Sequence, residues 1–116
     1  MTSFYYAFKG IAIAFRSEMN FRLHILAAVV VTAAGFYFSI TTTEWMLIVL
    51  CICAVTAMEL INTAIEKLCD HVTAEQHPVI GQIKDIAAAA VLVTAFGSFV
   101  TALIIFVPKL ILIFSA

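Results

Sequence analysis

Trp45 to Asp70 reads WMLIVLCICAVTAMELINTAIEKLCD, an apolar run that ends in acids at helical spacing. Glu59, Asn62, Glu66 and Asp70 stand three, four and four residues apart. On a helix of about 3.6 residues per turn those steps put all four on one face. The charge-free part alone is too short to cross a bilayer, so the segment spans only by carrying Glu59 and Asn62 with it. Glu59 then lies about 10 Å, two helical turns, deeper than Glu66. A carboxylate in hydrocarbon costs at least about 2.5 kcal/mol, so it faces protein or a wet cavity and marks function. Solvation at an emerging helix end explains Glu66 and Asp70. It does not explain Glu59.

The rest of the chain has the same character. Of its 116 residues 65% are hydrophobic and 11% charged, with a mean hydropathy of +1.15. A soluble domain of this size needs far more polar surface. No Asp, Glu, Lys or Arg occurs from Ile25 to Thr43 or from Ile86 to Val107. The fold expected is all-α integral membrane, one domain over 1–116, with three spans at about 23–40, 45–69 and 83–107.

Before the first span, FYYAFKGIAIAFRSEMNFR places Phe4, Phe8, Ile11 and Phe15 at helical spacing with Lys9 and Arg16 between them. This predicts an amphipathic surface helix over about 3–19, bending or capping at Ser17 or Asn20. Thr43 is the candidate N-cap of the second span, and Pro108 and Lys109 mark the far end of the third. The polar, aromatic-rich start lacks the pattern of a cleavable signal peptide. Cys51, Cys53 and Cys69 have no metal-like spacing, and the first two read as small apolar residues of a span.

Lys9, Arg16, Arg22, Lys67 and Lys84 fall on one side of the expected membrane, and Lys109 on the other. By the positive-inside tendency the N-terminus and the long loop are cytoplasmic. A net charge of −1 and the lack of a basic tract point away from nucleic acid. The deep Glu59 suits a general base; Glu18 and Glu66 are hard oxygen ligands of the kind Mg²⁺ takes singly or in pairs. Lys84 and Asp85 open the third span at the same level, where a lysine balances polyphosphate charge. Arg22, four residues after Glu18, can pair with it or reach a phosphate. Base, metal ligands and cation are the parts of phosphoryl transfer. No Gly-rich phosphate loop or protein-kinase motif accompanies them. Two other readings stay open on spacing alone. One is a small oligomeric ion or proton conductor using intramembrane acids. The other is a metal-binding module built from Cys69, Asp70, His71, Glu75 and His77.

Three stretches carry a family resemblance: FKGIAIAFRSEMNFRLH from Phe8, ELINTAIEKLCD from Glu59 and KDIAAAAVLV from Lys84. In order and spacing they resemble the prokaryotic diacylglycerol kinase/undecaprenol kinase family. The resemblance implies an integral-membrane homotrimer that transfers the γ-phosphoryl group of MgATP to a lipid hydroxyl in the bacterial cytoplasmic (inner) membrane. It implies Glu59 as the base, Asn62 beside the transferred group, and Glu18 and Glu66 as the carboxylates holding magnesium with ATP. It further implies Lys84 on phosphate, Asp85 nearer the sugar or base, and nucleotide contacts from Tyr6, Lys9 and Arg22. Asp70 and Gly81 match positions without an assigned role, and Asp70 reads as solvated. His24 stands where the diacylglycerol kinase branch tends to have a carboxylate, and Asn20 to His24 looks more like the undecaprenol kinase branch. Three spans are too few to surround a row of acids, so the Glu59 face is expected to be covered by a second subunit. Small residues at Ala54, Ala57, Ala64 and Ala87 to Ala90 suit such packing.

Overall fold

The computed structural model describes residues 2–73, 75 and 77–115. These form four α-helices: α1 Thr2–Ser17, α2 Met19–Tyr37, α3 Thr42–Val72 and α4 Pro78–Ser115. The last three are long and apolar enough to cross a membrane. Within its most apolar stretch α3 is 28% buried, against 11% for α2 and for α4, so α3 is the helix the others pack around. The 38 residues of α4 set the long dimension of the molecule, 59 Å.

The chain breaks between α1 and α2 at Glu18, where φ is −123° and ψ is 115°. Ser17, one of the two expected bend points, is the last residue of α1, while Asn20 lies inside α2. Arg22 fixes the break. Its Nη1 donates to the carbonyls of Phe15 at 2.7 Å and Arg16 at 3.2 Å. Those are orphan acceptors at the end of α1, and a cation there also complements the helix dipole. Arg22 therefore does not take up the ion pair with Glu18 that their spacing allowed.

At the other end the turn from α2 to α3 is four residues long, and its Ser39 has φ 50°. The N-cap is Thr41, two residues before the expected Thr43. Thr41 Oγ1 accepts the Glu44 amide at 3.2 Å while Glu44 Oε1 accepts the Thr41 amide at 2.9 Å. This reciprocal box needs a Glu or Gln three residues on, which Thr41 has and Thr43, followed by Met46, lacks. Lys109 Nζ donates to Glu44 Oε2 at 3.0 Å and ties α4 to the same turn. The third span was expected to end near Val107, yet α4 continues through Pro108 to Ser115. Proline costs one amide donor, and the Lys109 pair together with the apolar run after it carries the helix past the gap.

Ile40, Ile48 and Ile105 form the core at this end, flanked by Val31, Phe38, Trp45, Ile52 and Phe106. Gly35 is buried beneath Trp45: a Cβ built there meets Trp45 Cη2 at 2.6 Å and Cζ2 at 2.9 Å. The indole is itself packed on Phe36, ring centroids 4.8 Å apart. Gly35→Ala is expected to lower the thermal unfolding midpoint in detergent, with the roughly 1–3 kcal/mol cost of overpacking. Gly97→Ala, which adds its methyl to open space, is the control and leaves the midpoint unchanged or raises it.

Candidate active site

Glu59, Asn62 and Thr63 are the buried polar residues, 2%, 7% and 5% exposed. All three lie on α3, and the single chain covers them. A partner subunit is thus not needed to bury Glu59, contrary to the expectation from span count. α1 folds back at Glu18 to pack on both α2 and α3. Ala14 is the buried residue of α1, small enough for close approach, and Phe21 at the start of α2 is 1% exposed beneath the junction.

Around Glu59 the polar groups are ordered by depth. His24 Nε2, from α2, lies 3.5 Å from Glu59 Oε2. One turn along α3, Asn62 Nδ2 donates to Glu66 Oε1 at 2.8 Å. Glu66 and Glu18 are both half-buried. Together with His24 they are the groups whose charge bears on Glu59. Among the described residues Asn62 Oδ1 and Thr63 Oγ1 are buried without a hydrogen-bond partner, which leaves their hydrogen-bonding capacity unused one turn along α3 from Glu59. The arrangement offers a deep carboxylate, an amide clamped to a second carboxylate, and a third carboxylate at a helix break.

Four of the residues selected from sequence, Glu18, Glu59, Asn62 and Glu66, come together in this way. Lys84 and Asp85 stand at the start of α4, and Lys84 Nζ bonds Asp70 Oδ1 at 2.5 Å. Asp70 is therefore an ion-pair partner rather than a merely solvated acid, its position on α3 being level with the first turns of α4. Tyr6, 63% exposed, packs edge-on against Tyr5, and Lys9 is exposed on the same helix. Arg22 is engaged with the α1 carbonyls as described. The loop set Cys69, Asp70, His71, Glu75 and His77 does not converge: among the described residues no three His, Cys, Asp or Glu side chains gather as a metal site. Cys69 is buried, and His77 Nδ1 accepts the Val79 amide at 3.2 Å.

His24 and Thr63 are absent from the sequence-derived set. A lone polar side chain in an apolar span was the available signal for His24. It also forms one end of an apolar cavity of about 260 Å³ between α2, α3 and α4, lined by Ala27, Ala28, Val55, Thr56, Ser98 and Phe99 among others.

Comparison with known proteins gives the family. The sequence profile described as prokaryotic diacylglycerol kinase matches residues 5–106. The undecaprenol kinase of Bacillus subtilis is 44% identical over 108 residues, covering 93% of this chain and 88% of the relative. A diacylglycerol kinase of Synechocystis is 32% identical over 111 residues, 95% of this chain and 63% of the relative. That of Haemophilus influenzae is 31% identical over 88 residues, 76% of this chain and 75% of the relative. With three span-length helices and a buried acidic site between them, the chain belongs to the prokaryotic diacylglycerol kinase family and is a membrane lipid kinase.

Proposed function

We propose that this kinase moves the γ-phosphoryl group of MgATP to the hydroxyl of a membrane lipid, undecaprenol or a diacylglycerol, at the cytoplasmic face of the bacterial inner membrane. The observation that carries the reading is Glu59, 2% exposed on a span-length helix. Glu59 takes the proton of the lipid hydroxyl as that oxygen bonds to the γ-phosphorus. The bond from phosphorus to the β–γ bridging oxygen breaks, and ADP leaves. Asn62, with Oδ1 unpartnered and Nδ2 on Glu66, orients the group in transit. The cavity beside His24 supports access from the bilayer, since an aliphatic chain can lie in it while the hydroxyl meets Glu59.

Glu66 keeps one oxygen without a protein hydrogen bond among the described residues, and Glu18 lies in the same neighbourhood of Glu59. Carboxylates are the hard oxygen ligands that suit magnesium, and Glu18 and Glu66 are the residues that would hold it. A magnesium ion there would supply neutralisation of phosphate charge. Lys84, Asp85, Tyr6, Lys9 and Arg22 serve the nucleotide, with Lys84 exchanging Asp70 for phosphate. Five of the six Lys and Arg residues lie at this end of the bundle, which supports a cytoplasmic N-terminus. The exposed aromatic residues Phe4, Tyr5, Tyr6 and Phe8 suit α1 to the membrane surface. Exposed Ala54, Ala57 and Ala64 on α3 support self-association as a homotrimer with sites between subunits.

The test is reconstitution in vesicles loaded with an ion gradient. ATP consumption that starts only when a lipid alcohol is added supports the kinase reading. Collapse of the gradient without ATP, with no lipid-dependent ATP use, identifies a conductor instead.

A further inference from the structure

Glu59 meets one polar side chain from another element, and the phosphoryl-transfer reading does not yet use it. His24 Nε2 is 3.5 Å from Glu59 Oε2, with the two side chains 27% and 3% exposed. The other charged groups bearing on Glu59 are Glu66 on its own helix and Glu18 at the α1–α2 break. Both are acids when ionised and accept rather than donate, so among these groups only the imidazole can donate to a Glu59 carboxylate. Arg22, two residues before His24, is turned away to the α1 carbonyls and does not substitute for it. His24 also walls the cavity between α2, α3 and α4. The imidazole thus stands between the base and the apolar space.

We propose that His24 is a positioning residue for Glu59. Its Nε2, 3.5 Å from Oε2 and not yet at hydrogen-bond distance, closes on that oxygen when the lipid hydroxyl is engaged, fixes the plane of the carboxylate, and leaves Oε1 turned to the hydroxyl. The proposal rests on the reading of Glu59 as the base. A glutamate side chain has three torsions to fix, and a reacting group displaced by about 1 Å can lose about a hundredfold in rate. One donor from a neighbouring helix removes that freedom.

The experiment measures kcat and the KM for MgATP in mixed micelles for the full chain, His24→Ala, His24→Gln, His24→Phe and Glu59→Gln. His24→Ala is expected to lower kcat roughly tenfold to a hundredfold, with the KM for MgATP held within about twofold. His24→Gln, whose amide restores a donor, recovers a large part of that loss. An unimpaired kcat in His24→Ala, or no recovery in His24→Gln, overturns the proposal. So does a kcat in His24→Gln no better than that of His24→Phe, which keeps the bulk and has no donor, a comparison that stands even where the alanine variant fails to fold. Inactive Glu59→Gln beside fully active His24→Ala removes the positioning role alone. Full turnover in Glu59→Gln removes the base reading itself.

Discussion

Glu59→Gln is expected to abolish lipid phosphorylation and to leave nucleotide binding intact. The exchange keeps the shape of the side chain and removes only its capacity to take a proton. General-base contributions are typically about 10²–10⁴-fold, so turnover falls by at least about a hundredfold. ATP affinity, followed by a fluorescent nucleotide or calorimetry, stays within about twofold because the nucleotide side of the site lies two turns away at Glu66. Stability provides a second readout with the opposite sign from a folding defect. Glu59 is 2% exposed, and a neutral amide avoids the desolvation that a buried carboxylate incurs. The unfolding midpoint of the variant is therefore expected to hold or rise. An inactive variant that is also destabilised points to a structural role for Glu59, and an active one removes it as the base.

Glu66→Gln and Glu18→Gln are expected to act on magnesium instead. On the proposed pair of ligands each would remove one hard, charged oxygen, so the half-saturating magnesium concentration is expected to rise at least about tenfold, as even outer-shell losses do. Saturating magnesium restores much of the rate. The Gln at position 66 can still accept from Asn62 Nδ2, the 2.8 Å bond seen here, which keeps the rest of the site in register. Asn62→Ala separates the two effects: it frees Glu66 without removing its charge, and kcat falls more than the magnesium requirement changes. An unaltered magnesium dependence in both glutamine variants excludes these carboxylates as ligands.

The acids of α3 were legible because their spacing is a property of one helix. Steps of three and four set Glu59, Asn62 and Glu66 on a face, and charge-free runs marked out the spans. What depends on two elements was harder to read. The contact from His24 to Glu59 follows from how α2 lies on α3, and periodicity within either helix does not reveal it. The role of Arg22 follows from the break at Glu18, which exposes the carbonyls of Phe15 and Arg16 to it. Without the break, the four-residue spacing to Glu18 was the nearer partner. Asp70 gained Lys84 through the return of α4 after the loop. Likewise, the burial of Glu59 within one chain depends on how the other helices pack on α3. The cap at Thr41 is legible: Thr-x-x-Glu is present in sequence and Thr43 lacks such a partner. Proline is ordinarily a stop signal, and at Pro108 the tie from Lys109 to Glu44 over a distance of 65 residues in sequence reverses that reading.

The most direct measurement of the central claim is transfer of γ-labelled phosphate in mixed micelles holding undecaprenol, diacylglycerol or ceramide, with the unmodified protein and Glu59→Gln side by side. The account predicts label in a lipid phosphate monoester for at least one alcohol, dependent on magnesium, and none above background for Glu59→Gln with the nucleotide still bound. Equal labelling of the lipid by both proteins contradicts it, as does release of labelled inorganic phosphate with no labelled lipid.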